Sequence, residues 1–112
     1  AAAMNKTSIA AMRQRLALEE ATAVADGAGG SIVSWGLVAE VWAAIHPRTG
    51  VERVEAGGIE GRVTHEITIR HRPGVVPQQR FRLGTRIFDI KAVIDVEEAH
   101  RFLVCLVEER VA

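Results

Sequence analysis

The sequence predicts a mainly β domain: a small antiparallel β-barrel or sandwich of six to seven strands with one short helix. Three observations predict it. Val63–His71 and Arg86–Asp95 alternate apolar and polar residues with period two. Turn signals, among them Pro73-Gly74 and Gly84-Thr85, recur at short intervals between such runs. Six or seven such short runs, with one small helix among them, fill the chain. At 112 residues the chain makes one domain, able to bury about 65% of its unfolded surface.

The elements follow in order. Residues 1–11 read as a cloning remnant, Ala1–Ala3 before Met4, with a flexible N-terminus, and residues 12–112 as a single domain. Arg13–Glu19 suits a first strand, with Leu16 and Leu18 on one face; helix is the alternative there, since Ala, Leu, Arg and Glu all favour it. Ala25–Gly30 is Gly-rich and predicts a mobile turn. Ser31–Trp35 resumes extended structure, Gly36 marks a bulge, and Leu37–His46 forms the next strand until Pro47 ends it. Its apolar face is Leu37, Ala39, Val41, Ala43 and Ile45; Val38 and Trp42 lie on a mixed second face. Thr49, with Glu52 three residues on, has the form of a capping box for a short helix that Gly57-Gly58 would stop. Gln79–Leu83 is a short strand with Phe81 and Leu83 inward and Arg80 and Arg82 outward. Val96–Ala99 connects to a last strand, Arg101–Glu109, apolar on both faces and therefore central or covered twice.

Composition limits the function. Fourteen basic residues balance fourteen acidic ones, which speaks against gripping nucleic acid as the main task. A local cluster remains, in which Arg70, Arg80 and Arg82 are candidates for phosphate-backbone contact and Arg72 and Arg86 flank turns. A lone cysteine rules out an internal disulfide. No apolar run approaches the ~20 residues of a membrane helix, so no membrane partner is expected.

Catalytic and metal patterns are absent from the sequence. His65 and His71 stand six apart on one strand face, about 20 Å, too far to share an ion. Gly57, Gly58 and Gly61 lack the Lys-Ser/Thr of a phosphate loop. Asp89 and Asp95 are separated by a similar 20 Å or so, beyond a two-carboxylate mechanism. Cys105 sits among large apolar residues as an inert core thiol. No enzyme, metal or cofactor is expected.

Five pieces in order resemble one family. Met12–Leu18 (MRQRLAL), the loop Asp26-Gly27 leading to Trp35, Val41–Pro47 (VWAAIHP), His65–Gly74 (HEITIRHRPG) and Gly84–Asp95 (GTRIFDIKAVID) are similar to the tailed-phage head–tail joining proteins, also called head–tail adaptor, head-closure or stopper proteins. The likeness runs from Met12 to Glu109. It implies a small β-barrel forming a ring below the portal of a DNA-filled head, at the virion's head–tail interface. The implied partners are portal or adaptor ring proteins, tail terminator or tail proteins, further copies of itself, and packaged DNA in the channel. The family has no known catalytic residues to carry over. Ala25–Gly30 departs from it, because relatives usually carry more polar residues there.

On this reading Val38, Trp42, Leu103, Cys105 and Val107 are the expected subunit contacts. Asp26, Gly27, Gly29 and Gly30, with Arg72, Pro73, Gly74, Gln78 and Gln79, belong to loops that dock onto neighbours or reach the channel. The alternative is a free-standing small-barrel nucleic-acid-binding protein.

Overall fold

In the computed structural model, residues 11–53 and 62–110 are described, with backbone alone for residues 49–53. Six strands carry the fold: β1 (Gln14–Ala25), β2 (Ser31–Arg53), β3 (Arg62–Arg70), β4 (Arg80–Leu83), β5 (Arg86–Asp95) and β6 (Phe102–Glu109). All neighbours pair antiparallel in the order β1-β2-β3-β6-β5-β4, and β4 returns to β1 to close a barrel. The expected β class and strand number hold, and closure decides between barrel and sandwich.

The core forms because the alternating strands aim one face inward. Leu16 and Leu18 of β1, Ile67 and Ile69 of β3, Phe81 of β4, and Phe88 and Ile90 of β5 meet there. Phe81 lies opposite Phe88 across the β4–β5 pair, and both are fully buried. The turn Pro73-Gly74, with Gly74 at φ +85°, swings the chain so that Val75 tucks into the same core.

Four expectations need correction. β2 is one strand rather than two: Gly36 pairs in register with Glu20, and the bulge falls at Val38, skipped between the pairs Leu18–Ala39 and Glu19–Leu37. Leu37 accordingly lies outside the core, largely exposed. Pro47 does not end β2, which runs on to Arg53 through a register shift between Pro47 and Glu52. A proline is tolerated there because Pro47, opposite His65, is the last paired residue before the ladder becomes irregular. Thr49 and Glu52 therefore belong to a strand, not to a capping box; the rest of the expected helix, with Gly57-Gly58, lies outside the described residues. The described 3-10 turn is Val96–Glu98, within the expected β5–β6 connection.

Candidate functional site: an apolar arm and a cationic rim

β4 has only four residues and meets β1 at Ala17, Leu18 and Glu19. Beyond Glu19, β1 pairs with β2 alone, so Glu20–Ala25 and Ser31–Gly36 leave the barrel as a two-stranded arm about 20 Å long. Cross-strand partners point the same way. Val24 and Ile32 therefore share one face, and Ala23 and Val33 share the other. Val24, Ile32, Val33 and, at the arm's base, Leu37 are each more than half exposed.

The arm ends in an ordered turn. Asp26 Oδ1 accepts hydrogen bonds from Ala28 N (2.7 Å) and Gly30 N (3.1 Å), and Asp26 N donates to Gly30 O at 3.1 Å. Gly27 and Gly29 take φ values of +82° and +85°, which favour glycine. A Cβ on Gly30 would come within 2.8 Å of Asp26 Oδ2. The Gly-rich turn expected at Ala25–Gly30 thus forms the tip of the arm.

At its root the arm is clamped to the barrel wall. The Trp35 ring lies 4.0 Å from the Arg80 guanidinium and 5.8 Å from that of Arg110. Arg110 is held by Asp89 at 2.7 Å. Arg80 and Arg82 both donate to the buried Glu19 carboxylate, at 2.8 and 2.9 Å. Burial pushes the Glu19 carboxyl up, but the hydrogen bonds from Arg82 and Arg80 outweigh it and hold the group below the usual carboxylate value.

The rim where β1 enters the barrel has a different character. Arg15, Arg48, Arg80, Arg82, Arg86 and Arg110 each face a carboxylate. Arg70, Arg72 and Arg101 make no ion pair among the described residues. They gather where β3 ends and β6 begins: Arg70 pairs with Phe102, and His71 N donates to Arg101 O at 2.9 Å. Buried Arg72 Nε has no hydrogen-bond partner. Trp42, more than half exposed, and Met12 line a shallow pocket with Arg70, His71 and Arg72.

The residues predicted from sequence divide into groups. Val38 and Trp42 are exposed on β2, as a contact surface requires. Leu103, Cys105 and Val107 are not on a surface: they point into the barrel and are buried, so they cannot meet a neighbouring subunit. The outward-pointing Val104 is also fully buried, which explains a strand apolar on both faces. Burial pushes the Cys105 thiol up to about 12, so it stays protonated. Gln79 does not reach outward either. It is buried, accepts from Val76 N (3.0 Å) and donates to Gly74 O (2.9 Å), knitting its own loop together, while Pro73, Gly74 and Gln78 stay exposed. Of the arginines named for phosphate contact, Arg70 makes no ion pair among the described residues, whereas Arg80 and Arg82 are engaged by Glu19. Spacing along the chain missed one cluster, in which His71, Asp95 and His100 converge at the cationic rim.

A closed barrel that carries an exposed apolar arm suits a part that is assembled. The family model for phage head completion proteins matches residues 7–110. The chain belongs to the phage head completion protein family. It is thus a structural protein of the phage head and a component of the virion. A solved structure titled "Virion of native gene transfer agent (GTA) particle" contains a chain 36% identical to this head completion protein. That match covers 89% of this chain and 96% of the other, with a TM-score of 0.66. No curated protein matches. Among the described residues no helix is long and apolar enough to cross a membrane.

Proposed function

We propose that this head completion protein forms a ring below the portal, closes the DNA-filled head, and offers the surface on which the tail docks. The arm is the observation that carries this reading. A two-stranded ribbon with apolar side chains on both faces is marginal in water by itself. Among the described residues its outer strand edges also have no partner, inviting strand addition from another chain. Both features are satisfied at once if arms of adjacent copies cover one another around a ring. Exposed Val38 and Trp42 extend the same apolar strip along β2.

Val33→Asp combined with Leu37→Asp is expected to leave the barrel folded, because neither side chain enters the core. The pair is expected to abolish addition to a portal–adaptor complex, scored by electron microscopy of the reconstituted particle. A variant that still completes rings at wild-type yield would refute the role of the arm.

The unpaired rim arginines support a second reading, in which the chain contacts a phosphate backbone. Free monomer should then bind single- or double-stranded DNA at low salt, weakening steeply as salt rises. In Arg70→Ala/Arg101→Ala this anisotropy signal is expected to vanish. Binding unaffected by that pair removes the reading.

A further inference from the structure

We infer that His71, Asp95 and His100 form a binding site for a transition-metal dication of the zinc, cobalt or nickel type. The three residues come from separate places in the chain: His71 follows β3, Asp95 ends β5, and His100 lies just before β6. Their ligand atoms converge. His100 Nδ1 is 2.7 Å from Asp95 Oδ2 and 3.2 Å from His71 Nε2, and His71 Nε2 is 3.9 Å from Asp95 Oδ2. An ion bonded at about 2.0–2.1 Å with tetrahedral angles needs ligand atoms about 3.3–3.4 Å apart. The observed edges bracket that value, so small side-chain rotations would equalise them.

The donor set fits the metal class. Two imidazole nitrogens and one carboxylate oxygen suit zinc and its neighbours, whereas calcium and magnesium prefer oxygen alone. The rings meet at 76° with centroids 4.8 Å apart, so their faces do not stack against each other. The second carboxylate oxygen, Asp95 Oδ1, accepts from His100 N at 3.0 Å and fixes the carboxylate in place. One side stays open, since His100 is largely exposed, leaving room for water or a ligand from a neighbouring molecule.

The backbone around the site is unusual. Glu97, Glu98 and His100 all adopt positive φ, at 56°, 52° and 54°. Non-glycine residues hold such values only where their surroundings impose them, and functional sites are where they gather. Here the conformation brings the His100 ring back over Asp95 and His71. A bound ion would tie the β5–β6 connection to the end of β3, closing this rim of the barrel. The inference is independent of ring assembly.

The test uses tag-free full-length chain titrated with zinc by calorimetry and with cobalt by visible absorption. One equivalent is expected, with cobalt ligand-field bands and an upward shift of the thermal midpoint on adding zinc. His100→Asn is the decisive variant, because asparagine tolerates positive φ and keeps the connection folded. Asp95→Asn keeps the acceptor for His100 N. Each is expected to weaken binding by more than the roughly 10–100-fold lost when only an outer-shell partner is removed, while His46→Ala leaves it unchanged. No saturable binding in the wild type overturns the site. So does binding that survives His100→Asn, since the ion would then sit elsewhere.

Discussion

Phe81→Ala is expected to leave the barrel unable to hold itself closed at moderate temperature. Truncating a fully buried phenylalanine costs about 3–5 kcal/mol, against a total stability of roughly 5–15 kcal/mol for a domain of ordinary size. The position makes the loss worse than a generic core cavity. β4 is the closing strand, four residues long, and Phe81 is its one fully buried side chain. It lies opposite Leu18 on β1 and Phe88 on β5, so a single ring fills the seam from inside. Urea denaturation should show a much lower midpoint, or no folded baseline, for Phe81→Ala. Phe81→Leu, which keeps an apolar side chain in the seam, should cost distinctly less. An alanine variant within about 1 kcal/mol of wild type would mean that β4 is not what closes the barrel.

Much of this architecture is legible in the sequence because period-two alternation directly records which side of a strand faces the core. β3 shows it most clearly, with Ile67 and Ile69 inward; β5 keeps it at Phe88 and Ile90, until a register shift between Ile90 and Ala92 packs Val93 against the core and leaves Ile94, expected on the inward face, exposed. The errors arise where tertiary pairing overrides a local signal. Gly36 has the form of a break, yet strand pairing with Glu20 keeps it in the ladder, and the bulge is taken up two residues later at Val38. Ala21–Ala25 carries weak β propensity and was not expected as strand. The signal that could have found it is Ser31–Trp35, an extended run after a Gly-rich turn, which needs a partner on the other side of that turn. On β6, apolar residues on both faces suggested a sticky exterior, but the exterior is itself covered at Val104.

The site is less legible than the fold, for a geometric reason. His71 and His100 are 29 positions apart and meet only because β3 and β6 pair antiparallel with Arg70 opposite Phe102. Sequence spacing weighs neighbours along one run, such as His65 and His71, and does not register a partner brought in by another strand. Charge behaves similarly. The arginines form a cluster in sequence, but pairing divides them: Arg80 and Arg82 serve a buried glutamate 60 or so positions upstream, and Arg70, beside Arg101, has no carboxylate partner among the described residues. What the alternation could supply was direction. Arg80 and Arg82 do point away from the core, into the place where Glu19 lies.

That glutamate makes the second large prediction. Glu19→Ala is expected to cost about 3 kcal/mol, the lower part of the range for breaking a buried ion pair. Arg80 would remain mostly buried without its counter-charge, while Arg82, nearly half exposed, can relax into water. The pH dependence follows from the direction of the shift. With the folded pKa below the unfolded 4.5, the unfolded chain binds more protons between the two values. Glu19 therefore stabilises the fold fully above about 4.5, and this is lost as pH falls through the folded value. Glu109, lowered chiefly by its hydrogen bond from Arg86, acts in the same window and direction. His65 acts earlier: burial holds it below 6.5, so its contribution is complete above 6.5 and declines on acidification. Thermal midpoints should thus fall in two stages, below 6.5 and then below 4.5. Glu19→Gln, which keeps the shape but not the charge, should start lower and lose part of the second stage while retaining the first. An acid profile parallel to wild type through the second stage would show that the carboxylate is not what holds the seam from outside. Because Arg80 also carries the Trp35 ring, Glu19→Ala should loosen the root of the arm, seen as altered Trp35 fluorescence in a Trp42→Phe background. An unchanged spectrum would confine Glu19 to closing the barrel and separate it from the arm.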